Sequence, residues 1–403
     1  MLKLAFRNLF RHRARTALTL AAVVLGVMAI VLSGGFVQDI FVQLREATIH
    51  SQLGHLQIQR PGFSEQGRQR PFDYLLRNSQ AIVQSIEPWP EVSDVLRRVR
   101  FMGLASNLRA DLPVIAEGVE PDKEARLGSF LTIAQGRQLQ DSDTFGALMG
   151  EGAAGALQLK PGDPVILLAT TSDGALNSLE FILVGTFRSF SKDYDDRAVR
   201  VRLAAAQELL TEQGVHSLVV SLAETEDTDR VAQRLWEQLG GEQLEIKTWY
   251  ELADFYQKTV ELYQRQFGVL QLIILVMVVL GVTNTVSMAI LERTGEFGTQ
   301  MALGVPGKGI FQLVLVENVF LGFFGAAVGV GSGVLIAWTV SRVGIPMPPP
   351  PNSSAGYIAH IRIVPSVVAT AFAVGFVATL LAAILPARRA SRLKVAEALK
   401  ENI

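Results

Sequence analysis

Four apolar runs, at roughly 17–37, 268–291, 311–340 and 365–386, constrain this chain more than any other feature. Each reaches the roughly 20 residues a helix needs to cross the hydrocarbon core of a bilayer. The second, FGVLQLIILVMVVLGVTNTVSMAI, holds no charged side chain. A soluble protein can bury one such helix, but four are hard to hide. Composition agrees: charged residues make up 19% and apolar ones 49% of the 403 residues, poor in charge for a soluble chain of this length.

Charge distribution then orients the spans. Residues 1–16 carry Lys3, Arg7, Arg11, Arg13 and Arg15 with no acid, and the tail carries Arg388, Arg389, Arg392, Lys394 and Lys400 against Glu397 and Glu401. The long middle region, 41–265, holds 32 acidic and 23 basic residues. Short basic flanks favour the cytoplasmic side, whereas a long domain translocates largely regardless of its charge. Four spans with both termini inside satisfy these signs. The expected class is therefore a membrane α-helical protein with four transmembrane helices and a large extracytoplasmic mixed α/β domain between spans 1 and 2. A cleaved signal peptide is the rival for the N-terminus. The stretch AAVVLGVMAIVLSGGFVQDIF is long for one and lacks an obvious cleavage site, so an uncleaved span is favoured.

The expected segments follow in order. Residues 1–16 form a cytoplasmic amphipathic helix, with Arg7, Arg11 and Arg15 four apart and leucines and phenylalanines on another face. The first span covers 17–40, the periplasmic α/β domain 41–265 with helical stalks at both ends, and the second span 266–291. A cytoplasmic coupling helix (292–310), the third span (311–340), a periplasmic loop (341–364), the fourth span (365–386) and a cytoplasmic tail (387–403) complete the chain. Within the domain, GHLQIQRPGF alternates into a Pro-Gly turn and reads as a strand. SDVLRRVRFMGLAS and DLPVIAEGVE are candidate strands, and LKPGDPVILLATTSDGALNSLEFILVGTF is the clearest strand-turn-strand. Residues 78–86, AAAQELLTEQG and TDRVAQRLWEQLG read as helices, and HSLVVSLA as a strand. TWYELADFYQKTVELYQRQ should run as helix into the second span, since no Gly or Pro breaks it. Such a stalk would transmit motion that a flexible linker would absorb; ordinary interfacial extensions are the plainer alternative.

Inside the spans, Gly325, Gly329 and Gly333 make two overlapping G-x-x-x-G steps that let helices approach closely. The seam could lie within one chain or between two, and the sequence does not choose. Asn284, beside Thr283, Thr285 and Ser287, is a polar candidate in the second span. Glu317, one to two turns inside the third, is a functional candidate by virtue of its depth, although a carboxylate reaching back to the boundary is the stronger reading. Four consecutive prolines in VGIPMPPPPNSSAG indicate a stiff, extended outer loop.

No catalytic centre is evident. The five histidines are not spaced as a metal cluster, and GVPGKGI lacks the spacing of a phosphate loop. No direct cofactor is expected, and energy for any work must come from a partner. The connector ERTGEFGTQMALGVPGKGI is the natural handle. Glu292, Arg293 and Glu296 can face solvent or a partner, Met301 and Leu303 can face protein or bilayer, and Gly304, Pro306 and Gly307 end the helix.

The segment NTVSMAILERTGEFGTQMALGVPGKGIFQLVLVENVFLGFFGAAVG resembles the ABC-transporter permease superfamily of macrolide exporters, lipoprotein-releasing permeases and cell-division permeases. Glu292, Arg293, Glu296, Gly298, Ala302, Gly304, Glu317, Gly325 and Gly329 fall on its pattern, with Phe297 where the family more often has Ile. Thr299-Gln300 replaces the commoner basic residue that follows. The tail LPARRASRLKVAEALK, with Pro386 and Ala390, and the opening LKLAFRNLFRHRARTALTLAAVVLG are similar to the family's ends. The resemblance implies a non-catalytic subunit of the bacterial inner membrane, acting as a homo- or heterodimer with a cytoplasmic ABC ATPase dimer. ATP and Mg would be used only by that partner, and no ATPase is expected N-terminal to the first span. Residues 292–304 would couple the ATPase, and membrane lipid and a periplasmic protein or lipoprotein would be further partners. Lipoprotein or amphiphile release is the leading function. Drug or peptide efflux with an adaptor and outer-membrane channel, and non-transporting mechanotransmission to periplasmic partners, are the alternatives. The architecture lies nearest the lipoprotein-releasing type.

Overall fold

The computed structural model describes residues 13–67, 69–128, 131–189, 191–239, 244–348 and 356–393. Arg7 and Arg11 of the amphipathic segment, the side chain of Arg15, most of the proline run and the tail beyond residue 393 lie outside them. The chain divides into two compact units: 1–42, 260–346 and 358–403 form one, 43–259 and 347–357 the other.

The first unit is a bundle of four long apolar helices, Arg13–Thr48, Asp254–Glu292, Gly307–Val343 and Pro365–Ala390, of which the first two continue into the second unit. All four are long and apolar enough to cross a membrane, and each extends the hydropathic run that announced it. The glycine seam is intramolecular. A Cβ at Gly325 would sit 2.9 Å from Val23 Cγ1, one at Gly329 2.8 Å from Val27 Cβ, and one at Gly333 3.0 Å from Val31 Cβ. Glycines four apart thus receive first-helix valines four apart, a ridge in a groove that a methyl group would close. Gly375 on the fourth helix meets Val27 from another side, and Ala326, Ala371, Ala378 and Ala382 fill the remaining core. Thr283 donates to Ala382 O at 3.2 Å, linking the second and fourth helices. Near residue 39 the bundle is tied by Asp39, whose carboxylate takes Arg362 Nε at 2.9 Å and His360 N–H at 2.8 Å.

The second unit is a mixed α/β domain. Its sheet runs β10-β1-β9-β2-β3-β8-β5-β7-β4, with β6 bridging β2 and β7. The strands are β1 (Leu56–Gln59), β2 (Val92–Ser106), β3 (Asp111–Val119), β4 (Thr132–Gly136), β5 (Gly146–Gly150), β6 (Pro164–Thr170), β7 (Leu176–Arg188), β8 (Ala198–Arg202), β9 (Ser217–Leu222) and β10 (Glu245–Thr248). Val95, Val99, Phe101, Val114, Ala116, Val199 and Val201 point into the main core, as period-2 alternation requires. The amphipathic helix Thr228–Leu239 adds Val231, Leu235 and Leu239. Turns at Gly162 and Gly174, both with positive φ, frame β6 and open β7 where the sequence placed them.

One expectation fails at the stalk. The stretch from Thr248 is not one helix. Thr248 and Glu251 form a capping box that starts a short helix, Trp249–Leu252, which ends at Ala253 (φ -97°, ψ 59°) before the long helix begins at Asp254. Caps, not Gly or Pro, make this break. The first long helix likewise ends in a π-helical turn, Ile49–Leu53, stopped by Gly54 at φ 66°.

Candidate functional site

The connector between the second and third spans is a built structure. After Glu292 the chain leaves helical geometry at Arg293 (φ -103°, ψ 9°), turns into the helix Thr294–Ala302, and closes with Gly304 at φ 94° before the third span starts at Gly307. Thr294 Oγ1 donates back to Leu291 O at 2.8 Å, closing the end of the second span, and Val305 N–H donates to Gln300 O at 3.0 Å, closing the end of the connector helix.

Arg293 is placed differently from the outward position its charge suggested. It is 7% exposed, and its guanidinium forks onto Glu317, with Nη1 to Oε2 at 2.9 Å and Nη2 to Oε1 at 3.3 Å. Nε lies 3.4 Å from Glu296 Oε2, and the guanidinium carbon stands 5.0 Å from the centre of the Phe297 ring, which is wholly buried. The physical reason is depth. An arginine beside a carboxylate at a bundle boundary gains a bidentate, charge-assisted pair by folding inward. Glu317 is accordingly the internal partner of Arg293, which explains its place inside the third span better than a carboxylate reaching for water.

Burial then separates the expected coupling residues. Arg293, Phe297 and Gly298 face inward and brace the segment against the bundle. Glu296 and Met301 are half-buried, and Glu292, Ala302 and Gly304 are exposed. Leu303 is 81% exposed, and Thr299 and Ala302 of the same segment are exposed with it. The sequence offered Leu303 only beside Met301, as a side chain facing protein or bilayer, and did not set it apart. Only the sharp turn at Gly304 lifts it clear, and the signal available was a leucine immediately before that glycine.

Elsewhere the expected residues scatter. Gly325, Gly329 and Gly333 pack inside the bundle. Asn284 is exposed on the second span, away from the core valines Val278, Val282 and Val286. Arg388 and Arg389 lie exposed in the last turn of the fourth helix, suited to the negative end of its dipole. Among the described residues no group of three or more His, Cys, Asp or Glu could hold a metal ion. The α/β unit carries a cleft of about 1070 Å³ that the sequence did not announce, lined by Gln52, Phe63, Arg100, Met102, Thr170 and Tyr194 among others.

Four spans, a domain inserted after the first and a braced connector after the second define a multi-pass membrane permease subunit. Residues 268–395 match the FtsX-like permease C-terminal model, and 16–238, more than half the chain, match the MacB-like periplasmic core domain model. The chain belongs to this MacB/FtsX/LolC family of ABC-transporter permeases.

Relatives are distant. An uncharacterised ABC transporter permease of Methanocaldococcus jannaschii is 26% identical over 229 residues, 55% of each chain. The lipoprotein-releasing system transmembrane protein LolC of Neisseria meningitidis serogroup B is 23% identical over 96% of this chain and 94% of its own. The macrolide export ATP-binding/permease protein MacB of Rhodospirillum rubrum is 26% identical over 97% of this chain but 59% of its own. The chain thus spans little more than half the length of the first and third of these. Among solved structures, the periplasmic region of MacB from Actinobacillus actinomycetemcomitans aligns with 52% of this chain and 93% of its own at 14% identity, with a TM-score of 0.37.

Proposed function

We propose that this permease converts ATP hydrolysis by a separate cytoplasmic ATPase dimer into movement of its α/β domain on the periplasmic side of the inner membrane, acting on lipoprotein or other amphiphilic cargo. The observation that carries the reading is the connector. Its inner face is locked by Arg293, Glu317 and Phe297, and its outer tip offers Thr299, Ala302, Leu303 and Gly304. A lever needs this combination of a rigid root and an adaptable apolar contact. Glu292, Glu296 and Met301 flank the tip and complete the contact. Mg and ATP act in the partner, and the permease works as a dimer whose exposed second-span face, including Asn284, meets lipid or the other subunit.

Similarity to LolC along nearly the whole of both chains favours lipoprotein or amphiphile release. Comparable identity to macrolide export proteins supports a second reading, extrusion of a drug or peptide with an adaptor and outer-membrane channel.

Co-expression with the partner ATPase and reconstitution in lipid tests the mechanism. Leu303→Asp is expected to cut permease-stimulated ATP hydrolysis by about ten-fold, the loss of one buried leucine contact, while leaving the permease folded. Undiminished stimulation contradicts the reading. Co-purified acylated protein or lipid supports the first cargo class, and ATPase stimulation by an apolar drug the second.

A further inference from the structure

On the sheet face turned away from the main core, the α/β unit carries a row of charges. Arg100, Glu117 and Arg200 are direct register partners across β2, β3 and β8. Arg98 lies two residues before Arg100 on the same face, and Glu124 comes from the helix Pro121–Leu127. Arg98 Nη2 meets Glu124 Oε2 at 2.8 Å, and Arg100 Nη2 meets Glu117 Oε1 at 2.7 Å. Arg200, 2% exposed, lies between both acids, with Nη1 3.6 Å from Glu124 and Nε 3.4 Å from Glu117. Tyr194 OH donates to Glu117 at 2.7 Å and accepts from Arg200 Nε at 3.2 Å.

Arg100 reaches solvent, its side chain 45% exposed, so the buried groups, Arg98 and Arg200 against Glu117 and Glu124, balance in charge. The two carboxylates leave one N–H of each buried guanidinium over, and these are met by main chain. Arg200 Nη2 donates to Ser51 O at 3.0 Å, and Arg98 Nη1 donates to Gln52 O. Both carbonyls belong to the π-helical turn Ile49–Leu53 that ends the first long helix. Terminal carbonyls lack partners within the helix and carry the negative end of its dipole. Ile49 O and Leu53 O find partners in Gly54 N–H and the Gln57 side chain, so Ser51 O and Gln52 O are the carbonyls that the ladder completes, and they in turn take the donors its buried arginines have left. Stability alone does not explain it, because buried ion pairs barely repay their desolvation and apolar residues would hold the sheet as well.

We propose that the ladder is a socket for the end of the first membrane helix. Arg98 and Arg200 are positioning residues that fasten Ser51 and Gln52 to the centre of the sheet. Displacement of the helix is then delivered to β2, β3 and β8 instead of being absorbed in the turn before Gly54. This deepens the proposed function and rests on its premise that the domain is driven.

Backbone hydrogen exchange on the full-length chain in lipid nanodiscs tests the socket. Arg200→Lys keeps the charge but loses the fork. It should speed exchange at 49–54 by about ten-fold, the worth of a charge-assisted hydrogen bond, and leave β9 unchanged. Tyr194→Phe, which keeps every charge, should act in the same direction by roughly three-fold, as a neutral hydrogen bond would. Equal loosening of both segments, or no change in either, makes the ladder ordinary domain core and overturns the proposal. With the partner ATPase present, ATP should alter exchange in β2, β3 and β8 of the unmodified chain and not of Arg200→Lys. An unmodified chain that ignores ATP contradicts the driven-domain premise, while the nucleotide-free comparison still decides whether the socket exists.

Discussion

The helix bundle and the α/β domain spend the same residue types, arginine and glutamate, in opposite ways. Among the described residues of the bundle, arginine–carboxylate pairs such as Arg293 with Glu317 and Arg362 with Asp39 stand apart from one another, in an apolar mass held by glycines against valines. In the domain five charged groups form one connected ladder beneath a sheet whose other face is a wide aliphatic core. A membrane bundle gains little from apolar contact, because lipid is as apolar as leucine, so shape and a few polar ties fix its geometry. A water-exposed domain has hydrophobic burial to spare and can carry an elaborate buried charge network. The comparison locates precision in the bundle in its glycines and precision in the domain in its charges.

Breaking the ladder should therefore cost most. Glu117→Ala leaves the buried Arg200 short of a carboxylate and is expected to destabilise the domain by about 3–5 kcal/mol, read by denaturant titration of the full chain. A cost below about 1 kcal/mol would mean that the charges are solvated and the ladder is ornamental.

Acid is the next perturbation. His55 accepts Leu222 N–H on Nδ1 at 3.0 Å, and His216 accepts Arg100 N–H on Nδ1 at 3.0 Å. Burial holds both rings down to about 4. Both are neutral when folded, while the unfolded chain takes up protons below about 6.5. Stability from these groups is complete above pH 6.5 and is lost as pH falls towards 4, on the order of 2–3 kcal/mol per ring. Asp195, pushed up to about 6 by burial, works in the opposite sense over the same range. It offsets part of the loss, and Asp195→Asn should remove that offset. Protection of β9 amides at pH 7 and pH 5 checks the sign, and a domain more stable at pH 5 would refute the neutral-ring assignment.

Glycine substitution probes the bundle. Gly329→Val should cost about 1–3 kcal/mol through overpacking on Val27. Gly331→Val, where no neighbour lies within 4 Å, should cost almost nothing. Thermal melting in detergent distinguishes them, and equal effects would deny the seam.

Much of this was legible in one dimension. Hydropathy gave the four spans, and alternation at β1, with β-rich runs and turn residues elsewhere, marked β1, β2, β3, β6, β7 and β9, because each signal is local. The G-x-x-x-G steps marked a seam, yet its partner valines lie some 300 residues earlier in the chain and no local pattern names them. The short strands β5 and β8 have both faces covered and show no alternation to mark them. The ladder needs register as well as sequence, since Glu117 and Arg200 become neighbours only when β3 and β8 pair. At the connector, residue types were informative and directions were not. Arg293 turned inward to an acid 24 positions away, and the exposed tip passed to Leu303.

That inversion is the sharpest claim about how the permease is driven, and the absence of cysteine from the chain makes it directly measurable. Single cysteines at 303 and at 298 can each be tested for crosslinking to the co-reconstituted ATPase with a short bifunctional reagent. Capture from position 303 and none from the buried position 298 is the expected result. An ATPase complex that assembles and hydrolyses ATP, yet crosslinks from neither position or only from 298, would contradict the account.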